Sequence, residues 1–244
     1  MIPKLIHYCW FGRGEQPDSV KKCISTWEKA CPDFKIICWN EDNYDVNVNK
    51  YVKQAYAAKK WAFVTDYARL EIIYKYGGIY LDTDVELLKS LLPLLENKIY
   101  MGLDRIKIEE QGEFWVSTGL GFGAEKGNKM LLDFMKLYDD KLFINESNIF
   151  DLTPTPIIMT NYLKNLGFVD ENKIQYINDL IIYPTEYFAP KNFITQQIDI
   201  TNNTYSIHHY DNSWNEKLSK IDKLKNSIKS VIRKLFLWKK IKKS

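Results

Sequence analysis

Asp82-Thr83-Asp84 places two carboxylates two residues apart, directly after the β-prone run Ile79-Tyr80-Leu81. On an extended chain such residues point to the same side. Carboxylates held that close repel, and a hard divalent cation bound by oxygen ligands removes the repulsion. Asp66 and Arg69 stand three residues apart just upstream, a spacing that shares one face of a helix. Arginine keeps its charge in any protein environment, so this pair offers an acid and a permanent cation. Two of the chain's three histidines, His208 and His209, lie together far downstream. Neutral imidazole ligates Mn²⁺ alongside carboxylates. These residue types suit a divalent-metal centre with an acid–arginine pair beside it.

Such groups need carriers. Phe63, Tyr67, Leu70, Ile73 and Tyr74 recur at three- and four-residue steps, which predicts a helix after Trp61 with one apolar stripe. Gly77-Gly78 follows, and glycine tolerates the left-handed conformation that ends a helix. Helix, glycine turn and buried strand would deliver Asp66, Arg69, Asp82 and Asp84 to one edge. Upstream, Ile2 to Trp10 carries apolar residues at both parities and reads as a first strand buried on both faces, as in parallel sheets. Phe11-Gly12 and Gly14 form the loop after it. Pro17 to Ala30 reads as a helix and Phe34 to Trp39 as a second strand. The unit is β-α-β, hence a parallel pair with a right-handed crossover. Ligands of open α/β sheets bind beyond the carboxyl ends of the strands.

Further on, Val52 to Lys60 reads as helix and Ile99 to Leu103 as a strand ending at Asp104. Phe114 to Val116 suggests another strand. Gly119, Gly121 and Gly123 let backbone approach a ligand closely; their spacing matches neither the dinucleotide fingerprint nor a P-loop. Helices are expected over Asn128 to Tyr138 and Ile157 to Leu166, and a strand over Leu180 to Tyr183. Tyr187 to Asp199 reads as irregular. Tyr205 and Ile207 alternate with Ser206 and His208 on a last strand.

A chain of 244 residues with 45% apolar content holds one domain, or one domain and an appendage. Its 16 Tyr, 12 Phe and 7 Trp serve core packing or stacking on a base or sugar. Cys9, Cys23, Cys31 and Cys38 show no zinc spacing and read as free thiols in a reducing compartment. No signal peptide opens the chain and no apolar run approaches the ~20 residues of a membrane span. The net charge of +3 hides an asymmetry. Residues 217–244 hold ten Lys, one Arg and one Asp, a net of +10, leaving 3 − 10 = −7 for the rest. That is no nucleic-acid footprint spread over a fold, but a tail with its own role. Ile221, Leu224, Ile228, Val231, Leu235 and Trp238 form one helical stripe among lysines. An apolar face with Trp beside a basic face suits a helix lying in a membrane interface; the same spacing also suits a helix packed on the body or in a coiled-coil seam.

The run Ala62, Asp66, Arg69, Ile73, Gly77, Gly78, Tyr80, Asp82 and Asp84 resembles the sugar-binding region of DXD glycosyltransferases. It is similar to the bacterial capsular-polysaccharide transferases and yeast mannosyltransferases of family 32, with the glucosylating clostridial toxins as more distant kin. The resemblance implies a GT-A-like α/β nucleotide-sugar-binding fold with a mainly parallel central sheet. The opening Ile2-Pro3-Lys4 to Trp10-Phe11-Gly12 resembles the family's first motif, which implies that Trp10 stacks on the uracil of a donor. The segment His208 to Ser213-Trp214 resembles the family's last motif. That implies His208 in the metal shell, with His209 as the second candidate, and Ser213 and Trp214 on the donor diphosphate. In this reading Asp84 is the direct ligand of Mn²⁺ or Mg²⁺, and Asp82 reaches the ribose or a metal-bound water. Asp66 and Arg69 fix donor-sugar hydroxyls, and Tyr80 belongs to the donor site. Retention at the anomeric carbon is implied as well.

Of two other functions, an EF-hand fails on the residues and a glycoside hydrolase is not specified by them. An EF-hand loop starting at Asp82 needs Gly at its sixth position and Glu at its twelfth, where Leu87 and Pro93 stand. A glycoside hydrolase needs carboxylates ~5–9.5 Å apart across a sugar, which two acids at i and i+2 do not specify. A non-catalytic or hydrolytic sugar-nucleotide-binding protein is the alternative to a transferase. The expected organisation is a GT-A-like domain over residues 1–215 and a basic C-terminal helix over 216–244. The expected partners are a nucleotide-sugar donor, a surface-polysaccharide or lipid-linked glycan acceptor and an anionic membrane. The expected location is cytoplasmic, peripheral on the inner face of the plasma membrane.

Overall fold

β1 (Leu5–Cys9) is the strand around which the first half of the molecule is arranged. In the computed structural model, which describes residues 1–105, 114–192 and 195–210, it is buried along most of its length. It pairs in parallel with β2 (Lys35–Trp39), which follows α1 (Asp18–Ala30). On its other side it pairs in parallel with β3 (Gly78–Tyr80), reached through α2 (Lys50–Ala57) and α3 (Trp61–Tyr76). Beyond β3 the sheet continues through β7 (Phe122–Ala124), β5 (Ile99–Arg105), β9 (Leu180–Tyr183) and β8 (Gln175–Ile177), and β6 (Phe114–Ser117) also pairs with β5. β1, β2, β3, β5 and β9 run one way; β6, β7 and β8 run against them. The α/β class and a central sheet running mainly in one direction are as expected.

A second, two-stranded sheet joins β4 (Val85–Leu87) to β10 (Ser206–His208), antiparallel, with His208 opposite Val85. α4 (Lys129–Lys136) packs on α3, α5 (Thr155–Lys164) on β6, and the short α6 (Thr185–Phe188) on β5 and β10. The compact unit Met1–His209 contains all of these elements. Ser213, Trp214 and the basic tail helix lie outside the described residues. No helix among the described residues is long and apolar enough to cross a membrane. All four cysteines are free thiols.

α3 differs from its expected single stripe. Val64, Ala68, Arg69, Glu71 and Ile72 are buried together with Phe63, Tyr67, Leu70 and Ile73. It packs against α2, α4 and β1 at once, and a helix enclosed by its neighbours is apolar nearly all round. The glycine pair after it is required twice over. Gly77 and Gly78 have φ of 69° and 107°, and a Cβ would meet Lys126 N at 2.8 Å on the first and Leu5 O at 2.9 Å on the second. Asp82 and Asp84 also differ from expectation. They sit in a turn rather than on an extended strand, since the Val85 N–H donates to Asp82 O at 3.0 Å. The chain must turn here because it leaves the main sheet at β3 and enters the small sheet at β4.

The join between β1 and β3 is locked by His7, which is fully buried. Its Nδ1 accepts from Trp39 Nε1 at 3.0 Å, which leaves Nε2 to donate to Gly77 O at 3.0 Å. Both nitrogens are satisfied only in the neutral form. Burial lowers the His7 pKa from 6.5 to about 4, against a smaller raising effect of the Gly77 hydrogen bond. Between these values the unfolded chain binds the extra proton, so stability present above pH 6.5 is lost as the pH falls toward 4. His7→Gln keeps a donor and an acceptor but does not titrate. Between pH 7 and pH 5 the variant should lose about 2 kcal/mol less stability than the native chain, measured by urea unfolding at both values. Equal losses would mean that His7 is not held neutral.

Candidate functional site

The sites of interest collect where β1 and β3 end and β4 begins. Arg69 comes from the middle of α3, and its side chain is only 7% exposed. Nη2 donates to Asp66 Oδ1 at 2.8 Å, Nη1 to Asp82 Oδ2 at 3.4 Å and Nε to Thr65 O at 3.2 Å. Its guanidinium lies 5.2 Å from the centre of the Tyr80 ring. Burial works against its charge, but Asp82 and Asp66 raise its pKa further. Burial pushes the Asp66 carboxyl up, opposed by Arg69 and by hydrogen bonds from the Thr155 hydroxyl and backbone N–H. Thr155 is the first residue of α5, so Asp66 occupies a helix N-terminus, where a negative charge is favoured. Tyr138 Oη lies 3.0 Å from Thr155 Oγ1 and completes the chain of hydrogen bonds inward.

Asp82, Asp84 and His208 each present one ligand atom, all within 4.8 Å of one another. His208 Nε2 is 3.2 Å from Asp84 Oδ1. Burial lowers the His208 pKa, but the charge and hydrogen bond of Asp84 outweigh it and raise it to about 9. Burial raises Asp82, with Arg69 lowering it and Asp84 raising it again. Two carboxylates and an imidazole at this separation could hold a divalent cation. His209 faces elsewhere: its Nε2 is 2.8 Å from Glu86 Oε2. Its backbone N–H donates to Asp84 O at 3.0 Å, which fixes the end of β10 on the carboxylate turn.

The turn is held from three sides. Trp27 Nε1 donates to Val85 O at 2.7 Å, and the Leu87 N–H donates to Thr26 Oγ1 at 3.0 Å, so α1 anchors β4. Tyr80 is 1% exposed and reaches the site through a hydrogen bond to Asp82 and its face under Arg69. Gly119 backs Asp82 from behind. The other two glycines of that segment serve packing: Gly121 turns at φ 116° and Gly123 sits within β7 against Tyr100. Trp10 stands half-buried at the end of β1, with Nε1 donating to Gly14 O at 2.7 Å. The loop beyond it is fixed by Glu41 Oε1, which accepts from the Gly12 N–H at 2.6 Å and from Tyr56 Oη at 3.1 Å. Asp66, Arg69, Tyr80, Asp82, Asp84 and His208 thus converge. Thr155, Trp27, Thr26 and Glu41 support the site without any signal in their spacing.

A Cβ on Gly119 would lie 2.5 Å from Asp82 Oδ2 and 3.3 Å from Arg69 Nη1. The carboxylate can swing away, so Gly119→Ala should fold with a stability change below ~1 kcal/mol. The displaced Asp82 should lower Mn²⁺ affinity about tenfold, or ~1.4 kcal/mol. Thermal melting and Mn²⁺ titration by calorimetry test both. Unchanged affinity would remove Asp82 from the metal shell.

With this geometry in view, the likeness to known proteins falls on the same residues. Residues 17–105 match the family model described as "Glycosyltransferase sugar-binding region containing DXD motif". Inositol phosphoceramide mannosyltransferase 3 of Schizosaccharomyces pombe is 33% identical over 106 residues, 38% of this chain and 27% of that protein. Inositol phosphoceramide mannosyltransferase 1 of the same yeast is 26% identical over 111 residues, and the match spans 33% of its length. The chain therefore covers about a third or less of these two relatives. An uncharacterized glycosyltransferase of Acanthamoeba polyphaga mimivirus is 26% identical over 204 residues, 79% of this chain and 77% of that one. Among solved structures, the PaToxG glycosyltransferase superposes with a TM-score of 0.49 at 20% identity, over 67% of this chain and 69% of that one. Asp66, Arg69, Asp82 and Asp84 all lie inside the segment that matches the DXD glycosyltransferase sugar-binding model.

Proposed function

We propose that the chain is a GT-A-like, metal-dependent glycosyltransferase that moves a hexose or N-acetylhexosamine from a nucleotide sugar, UDP-linked, to a surface-polysaccharide or lipid-linked glycan. The observation that carries this reading is the convergence of Asp82, Asp84 and His208 beside the Asp66–Arg69 pair. The donor set fits Mn²⁺ or Mg²⁺, held by Asp84, Asp82 and His208. An ion there supplies positive charge against the donor diphosphate. Arg69 and Asp66 orient the sugar hydroxyls, and Asp66 is kept in place by Thr155 at the N-terminus of α5. Tyr80 positions Asp82 and Arg69 from below. Trp10 offers its indole face to the base. As the bond from the anomeric carbon to the phosphate oxygen breaks, its electron pair goes to that oxygen, and the acceptor oxygen forms the new bond with retention while its proton passes to the departing phosphate oxygen.

Ser213 and Trp214 take their place on the diphosphate from resemblance alone. The +10 charge of residues 217–244 supports holding the enzyme at an anionic membrane, on the cytoplasmic inner face, where each basic residue near the surface is worth ~1 kcal/mol. The two yeast relatives are named for transferring mannose to inositol phosphoceramide, which keeps a mannosyl donor and a lipid acceptor in view.

A panel of UDP- and GDP-sugars, GDP-mannose included, tests the reading by Mn²⁺-dependent release of nucleoside diphosphate. Release that needs an added acceptor supports a transferase; release unaffected by any acceptor supports the hydrolytic alternative. Asp84→Asn keeps the side-chain size and removes the charge. It should melt like the native protein while turnover falls at least ~100-fold, as for loss of a group that stabilises developing charge. Near-native turnover would sink the metal assignment. Trp10→Ala should weaken UDP binding by roughly 1–3 kcal/mol, the value of base–aromatic stacking, by calorimetry with Mn²⁺. Unchanged affinity in the folded variant would return Trp10 to a packing role.

A further inference from the structure

Resting on the nucleotide-sugar reading, we propose that Trp61 selects the donor's nucleobase. Its indole N–H receives the ring carbonyl of uracil or guanine and refuses the amino group that cytosine and adenine carry in its place. α3 is enclosed along most of its length, but over its first two turns Trp61, Ala62, Thr65 and Asp66 stay half-buried while Phe63, Val64 and Tyr67 are covered. Residues at these three- and four-residue steps share one helical face. That face begins at Trp61 and ends at the Asp66–Arg69 pair. Trp61 stands five residues before Asp66, about 7.5 Å along the helix axis. The open strip therefore leads away from the sugar end of the site.

It leads to the loop that carries Trp10. A Cβ on Gly12 would lie 2.7 Å from Trp61 Cε2 and 2.8 Å from its Nε1. The N–H-bearing edge of the indole thus lies against the chain two residues beyond Trp10. Tyr56 packs on the same indole, with 5.2 Å between ring centroids at 60°. Glu41 Oε1 accepts from both the Gly12 N–H and Tyr56 Oη, which joins loop, tyrosine and indole in one assembly. An indole N–H is a donor only. Trp10, Trp27 and Trp39 give theirs to Gly14 O, Val85 O and His7 Nδ1. Trp61 Nε1 has no acceptor among the described residues, and solvent reaches it in the half-buried side chain.

Stacking on Trp10 tolerates any base, because every base has a π-face. Selectivity has to come from a base edge. Uracil presents a carbonyl at C4 and guanine one at C6, where cytosine and adenine present an amino group. A donor-only N–H pairs with the carbonyl. Opposite an amino group two donors meet, and each loses water without gaining an acceptor. The same contact does not separate uracil from guanine, so Trp61 defines a class of donor, linked to UDP or GDP.

Packing on Gly12 and Tyr56 is the other use of this side chain, and it needs the ring but not the N–H. Trp61→Phe keeps an aromatic ring and removes the donor. Full-length native and variant proteins, checked by thermal melting, would be titrated calorimetrically with UDP, CDP, GDP and ADP in Mn²⁺. The native chain should prefer UDP to CDP, or GDP to ADP, by about tenfold. Trp61→Phe should bind the preferred nucleotide about five- to tenfold more weakly, the size of one hydrogen bond, and bind CDP and ADP within about twofold of native. In the native chain the Trp61 Nε1–H resonance, assigned without recourse to any variant, should move downfield on saturation with the preferred nucleotide. A native protein without base preference, a preference kept in the folded variant, equal weakening of all four nucleotides or an unmoved resonance would overturn the proposal and leave Trp61 as packing. A native protein that binds none of the four with Mn²⁺ would instead overturn the nucleotide-sugar reading, and the role of Trp61 would fall with it.

Discussion

A guanidinium buried to 7% exposure must be surrounded by acceptors, and the architecture around the site answers that demand. Arg69 draws one carboxylate from its own helix and one from the turn after β3, so α3 and the Asp82 turn are fixed relative to each other. Asp66 in turn is a buried carboxylate with one face on Arg69, and Thr155 at the start of α5 satisfies the rest. Asp82 needs space behind it, and only a residue without a side chain leaves that space at Gly119. Four separate stretches of chain therefore meet at one cation. Lysine could not replace it, because the planar fork reaches Asp66, Asp82 and the Thr65 carbonyl at once.

The second constraint is the change of sheet. β3 belongs to the large sheet and β4 to the small one, and the Asp82–Asp84 turn is the hinge between them. This is why the carboxylates stand clear of both sheets instead of being covered by cross-strand neighbours. It is also why His208 arrives from more than a hundred residues away. Among the described residues β10 pairs with β4 alone, and its register with Val85 opposite His208 sets which histidine meets Asp84. Trp27 and Thr26 hold β4 from α1, so the Asp82–Asp84 turn inherits the rigidity of the first β-α-β unit.

Much of this was legible in the residues. The β-α-β start, the α3 helix, its glycine stop and β3 follow from periodicity and from glycine stereochemistry. The pairing of Asp66 with Arg69 follows as well, because helical spacing constrains neighbours directly, whereas Asp82 and Asp84 reach the site through a turn and not through the strand alternation their spacing suggests. The choice between His208 and His209 was not legible from spacing, since either face of a strand can meet a ligand until the partner register is known. β4, β7 and β8 escaped because they are three residues long and β7 has a glycine at its centre, which weakens any strand signal. The enclosure of α3 escaped because its spacing shows one apolar stripe, while Arg69 and Glu71 are buried through partners elsewhere in the chain. Glu71 is buried against the Tyr44 hydroxyl at 2.8 Å, a pairing of residues far apart in the chain.

Charge balance bears on the proposed metal site. Asp66, Asp82 and Asp84 against Arg69 give −3 + 1 = −2 with His208 neutral. Without a dication the Asp84 carboxylate raises that imidazole to about 9, which favours its protonated form at neutral pH. In the proposed reading a divalent ion takes the place of that proton and brings the sum to zero. A donor diphosphate then arrives as uncompensated negative charge in a partly buried pocket, where burying an unpaired charge is costly. The site's own arginine is already committed on two sides. The His209 N–H ties the end of β10 to the Asp84 turn, and Trp27 and Thr26 tie β4 to α1, so the imidazole of His208 keeps its place beside the two carboxylates.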